Sequence, residues 1–71
     1  STNMSIVNGK VTVTYRACED DFDKDAVKRE LSNVQCSNGN TAPSSLIDKP
    51  KKIDLSSCDG LEQTGTLECE K

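Results

Sequence analysis

KVTVTYRACEDDFDKDAVKRELSNV, residues 10–34, changes its period part-way along, and that change decides the fold class. Val7, Val11, Val13, Tyr15 and Ala17 share one parity, while Asn8, Lys10, Thr12, Thr14 and Arg16 share the other. Alternation of this kind, rich in β-branched residues, predicts a strand with one buried and one wet face, secure from Lys10 to Ala17. Phe22, Val27, Leu31 and Val34 then recur at helical spacing and predict a helix from about Lys24 to Asn33. Asp23 is placed to cap its first turn, Phe22 and Val27 to form a hydrophobic staple, and Asp25 and Arg29 to make an i,i+4 ion pair.

Working outward, Asn8-Gly9 reads as a tight turn with Ile6-Val7 as a stub before it, and the amino terminus is expected to fray. Beyond the helix, residues 37–52 are dominated by Asn, Gly, Thr, Pro, Ser and Lys, with Asn38-Gly39 as a turn signal. Ser45, three residues before Asp48, offers a capping pattern for a single helical turn that Pro50 would end. Ile53 and Leu55 form a short strand and Thr64 to Cys69 another, with turns at Asp59-Gly60 and around Gly65. The expected fold is therefore α+β: about three antiparallel strands packed against one helix. The last two strands make a hairpin that joins the first, and residues 1–71 form a single small secreted domain.

Four cysteines, Cys18, Cys36, Cys58 and Cys69, stand in a chain of 71 residues that contains no histidine. Neighbouring cysteines lie 18, 22 and 11 positions apart, so no C-x-x-C knuckle exists to grip zinc, and an even count in so short a chain reads as two disulfides. Disulfides persist in oxidising compartments, which places the protein outside the cell or in the periplasm. Phe, Ile, Leu and Val make up only 14 of the 71 residues, so cross-links are needed to carry a thin core. The helix separates the approaches to Cys18 and Cys36, which disfavours a bridge between those two; of the three possible connectivities, Cys18 to Cys69 with Cys36 to Cys58 is the one expected.

Composition narrows function mainly by exclusion. The net charge is -3 and the isoelectric point near 4.7, aromatics are limited to Tyr15 and Phe22, and no basic stripe is present, so nucleic acid is not an expected partner. No apolar run approaches the ~20 residues of a membrane helix. Asp21, Asp23 and Asp25 have the spacing that opens a calcium loop. Ala26 replaces its glycine and Ser32 its closing glutamate, so the acids read as helix caps and neither metal nor cofactor is expected. Catalysis is not expected either: without histidine a nucleophile lacks its commonest base, and nothing sets two carboxylates across a cleft. Asn3-Met4-Ser5 fits a glycosylation sequon.

Lys49-Pro50-Lys51-Lys52 before Ile53-Asp54-Leu55 resembles the docking peptides read by mitogen-activated kinases, over a handful of residues. An edge strand fronted by lysines, which discourage edge-to-edge association, accounts for the same pattern. The remaining candidate is the segment between Cys36 and Cys58, where Leu46-Ile47 stands alone in polar sequence; Leu46, Ile47, Lys49 and Lys51 are the expected partner-binding residues. A short acidic chain with two disulfides is similar in general appearance to many small fungal effectors. The expected function is thus a non-catalytic, monomeric, effector-like or toxin-like ligand for an extracellular macromolecule. The alternatives are an inhibitor of a secreted hydrolase, presenting the loop Ser44 to Lys51 as a substrate mimic, and a fragment of a larger extracellular protein.

Overall fold

The computed structural model describes residues 1–7, 9–34 and 45–69. Among them are β1 (Thr2–Val7), β2 (Lys10–Cys18), a 3-10 turn (Glu19–Asp21), α1 (Ala26–Ser32), β3 (Ser45–Ile47), β4 (Lys51–Asp54) and β5 (Asp59–Glu68). The strands form one antiparallel sheet in the order β1-β2-β5, with β3 and β4 placed one after the other along the outer side of β5. The α+β class, the presence of a disulfide and the β4-β5 hairpin beside β2 agree with the sequence pattern. Strands dominate more than it suggested.

The alternation in β2 is realised in its pairing. Val11 lies opposite Leu67 and Val13 opposite Gly65, and these positions face α1. Val11, Val13, Val27, Leu31 and Leu67 form the buried core, with Tyr15, Val34 and Cys69 packed at its margin. The opposite face carries Thr12 across from Thr66 and Thr14 across from Thr64, the latter pair with hydroxyl oxygens 3.5 Å apart.

Two features expected to be turns are strand instead. Gly65 sits in mid-β5, where a Cβ would lie 2.5 Å from Val27 Cγ1 and 2.8 Å from Leu31 Cδ1, so its missing side chain is the notch that seats the helix. Gly60 lies beneath Leu55 in the same way, and the hairpin turn falls earlier, at Ser56-Ser57, closed by reciprocal bonds between Leu55 and Cys58. Gly9, at φ 78°, takes the left-handed geometry of the turn between β1 and β2.

The amino-terminal residues are not a frayed stub: all of Thr2–Val7 pairs with β2, from Thr2 opposite Tyr15 to Val7 opposite Lys10. The single helical turn expected at Ser45 is likewise replaced by β3, since Leu46 and Ile47 extend alongside Thr66 and Gly65. Residues 35–44, including the Asn38-Gly39 turn signal, lie outside the described residues.

The helix is shorter than its periodicity implied because Asp23 spends its side chain one turn early. Its Oδ1 accepts the Asp25 N–H at 2.9 Å and its carbonyl accepts the Ala26 N–H, which makes a turn before α1 starts, with Asp25 at the N-cap position but making no side-chain capping bond. Arg29 pairs with Asp23 rather than with Asp25, and this bond holds the Asp23 carboxyl below its ordinary value. The Tyr15 hydroxyl accepts the Asp23 N–H at 3.1 Å, and its ring lies 5.1 Å from that of Phe22. The strand therefore fixes where the helix begins.

Cys18 is bonded to Cys58, with Cα atoms 5.8 Å apart, which corrects the expected pairings of Cys18 with Cys69 and of Cys36 with Cys58. The register of the expected hairpin decides the pairing: with its turn at Ser56-Ser57, the chain returns at Cys58 beside the end of β2, where Cys18 lies opposite Gly60. Cys69 is also disulfide-bonded, and Cys36 lies outside the described residues.

Candidate functional site: the bulged outer edge

Residues 45–54 form an edge strand broken by one extra residue. Ile47 lies opposite Gly65 and Lys51 opposite Glu62, so Asp48, Lys49 and Pro50 span only Gln63 and Thr64 on β5. This is a β-bulge, and proline is tolerated there because it has no N–H to contribute to a ladder. The Asp48 N–H reaches the Thr64 carbonyl at 2.9 Å, and Gln63 Nε2 donates to the Asp48 carbonyl at 2.9 Å, bracing the bulge. Gln63 Oε1 is buried without a hydrogen-bond partner among the described residues.

The bulge sets where the four expected partner-binding side chains lie. Leu46, opposite Thr66, stands on the face away from α1 and is 76% exposed; Ile47 lies on the helix side beside Gly65 and is 39% exposed. Lys49 is exposed within the bulge. Lys51 points back over the sheet, where its Nζ lies 3.1 Å from Glu62 Oε1. The four share one edge but not one face. Ser44 lies outside the described residues; Ser45–Ile47 and Lys51 are paired to β5, and Asp48, Lys49 and Pro50 form the bulge between them.

Sequence reading missed Glu62 as the residue that organises this region. It is buried at 8% exposure and accepts Arg16 Nε at 2.6 Å as well as Lys51 Nζ. The Arg16 bond, then the Lys51 bond, holds its carboxyl below the ordinary value of 4.5. A carboxylate clamped by two cations stays ionised near neutral pH and has no proton to give, so it pins β4 to β5 and β2. The available signal was the parity of β2 and β5, which sets Arg16 opposite Glu62 once their register is known.

Beside Leu46 is a shallow hollow of about 200 Å³ lined by Lys10, Ser45, Leu46, Thr66, Leu67 and Glu68. Small-molecule pockets run from about 300 Å³ upward, so this space suits one side chain of a partner better than a free ligand. No group of three or more His, Cys, Asp or Glu side chains arranged to hold a metal occurs among the described residues, and no helix there is long and apolar enough to cross a membrane.

The chain matches no protein-family model, no curated protein and no solved structure.

Proposed function

We propose that the protein is a secreted, non-catalytic interaction module that engages a protein partner through its bulged edge, with Leu46 as the anchor and Ile47 and Lys49 beside it. The observation that carries this reading is the exposure of Leu46, at 76%, on a strand whose backbone is bonded to β5. An apolar side chain carried on a backbone already held extended loses little backbone entropy on docking, and its burial against a partner removes apolar surface from water. Lys51 fixes the edge beside the site by binding Glu62. The Cys18–Cys58 bond is compatible with an extracellular protein.

The test is affinity capture on the oxidised protein and its Leu46→Ser variant, with both folds checked by circular dichroism. The expected result is a partner retained by the parent and lost with Leu46→Ser while melting is nearly unchanged. A partner retained equally by both would refute the assignment of the anchor. Cleavage within the Ser44 to Lys51 segment by a secreted protease, with slow tight inhibition, would favour the inhibitor reading instead.

A further inference from the structure

We propose that the other edge of the sheet, β1, is a homotypic contact, pairing antiparallel with β1 of a second copy to continue the sheet across a two-fold axis. All six residues of β1 are exposed, and among the described residues β1 is bonded on one side only. Ser1 and Arg16 exchange both backbone hydrogen bonds, at 2.7 and 3.0 Å. The antiparallel alternation then directs the odd-numbered residues of β1 towards β2 and turns the N–H and C=O groups of Thr2, Met4 and Ile6 outward. An exposed row of this kind is a template for another strand.

The two edges are treated differently by the sequence. The β3/β4 edge carries the devices that block strand addition: a bulge, Pro50, and the exposed lysines Lys49, Lys51 and Lys52. Strand β1 has neither a charge nor a proline, in a chain of which 30% is charged. That composition suits a second copy as the occupant. In a two-fold antiparallel pair each residue meets residues of its own strand, so any charge near the axis would face its like, and none is present.

One register uses every outward group: Met4 opposite Met4 of the second copy, with Thr2 opposite Ile6 on either side. It also places Met4, 47% exposed, and Ile6, 66% exposed, as diagonal neighbours on the helix side of the joined sheet. Each copy carries a net charge of -3, so association opposes a long-range repulsion that salt relieves.

Sedimentation equilibrium of the oxidised protein from micromolar to millimolar concentration, at low and high salt, tests this together with residue-resolved amide exchange. The expected result is a monomer–dimer equilibrium strengthened by salt. The amides of Thr2, Met4 and Ile6 should gain protection with concentration, and those of Asn3, Ser5 and Val7 should be protected throughout. Met4→Lys should weaken the dimer by about fivefold or more, and mixing it with Met4→Glu should restore association, because the two side chains then meet across the axis. A monomer at millimolar concentration in high salt, association unaffected by Met4→Lys, open-ended polymers, or new protection at β3 in place of β1 would each overturn the proposal. The exchange measurement needs no variant, and binding of a partner at Leu46 is scored separately on the opposite edge.

Discussion

Gly65 shows how much one absent side chain can decide. The helix lies close enough to β5 that a single methyl group at this position would overlap Val27 and Leu31. Gly65→Ala is expected to destabilise by about 1–3 kcal/mol, since overpacking forces core side chains and backbone to shift. Thermal unfolding measures this, and an unchanged midpoint would mean that α1 is not seated there. Glu62 makes the second prediction. Its folded-state pKa is lowered by Arg16 and Lys51, so its contribution is present above the unfolded value near 4.5 and is lost as pH falls through the lower folded value. Stability should therefore decline on acidification below about pH 5, and Glu62→Gln should flatten that limb while lowering stability at neutral pH. Urea melts at a series of pH values would show it; identical acid limbs in the two proteins would contradict the clamp. Neither residue was legible beforehand, because both roles depend on register between strands distant in sequence. Glycine in a run of polar residues reads locally as a turn, and only the helix above it reveals a packing site.

At the scale of elements, β2 and α1 were legible because each carries an apolar period of its own, at Val11 and Val13 and at Val27 and Leu31. Strands β1 and β3 were not: β1 is exposed throughout and β3 is only three residues long, so neither shows a buried alternation. They are strands because a neighbour supplies hydrogen bonds, an influence that a single segment does not record. The helix boundary moved for a local reason, the Asp23 side chain bonding the Asp25 N–H in place of capping α1. The position of the two apolar residues of β3 yields a prediction for each. Ile47 packs beside Gly65 and near the core, whereas Leu46 faces outward. Ile47→Ser is expected to cost about 1–2 kcal/mol through partial loss of burial, and denaturant unfolding would detect it as a lower midpoint at unchanged slope.

At the scale of the whole molecule, the extents are 42 × 19 × 16 Å, the core cluster among the described residues has five buried members, and covalent bracing compensates for the small apolar interior. The Cys18–Cys58 bond closes a separation of 40 residues, for which loop entropy gives about 4 kcal/mol of stabilisation. Replacing both by alanine should lower stability by roughly that amount, and peptide mapping of the unreduced protein should yield a Cys18–Cys58 linkage. A Cys18–Cys69 peptide would contradict the fold. The presence of disulfides was legible from cysteine count alone, while their connectivity required the register of the hairpin, which sets Cys58 beside Cys18.

The braced sheet leaves Leu46 exposed on its bulged edge, where it is proposed to meet a partner, and thermal unfolding of Leu46→Ser tests that placement most directly. An ordered but outward-facing side chain predicts a change within about 0.5 kcal/mol, or roughly 4 °C in midpoint for a domain of this size. A loss of several kcal/mol would place Leu46 in the core and contradict its role as an exposed anchor.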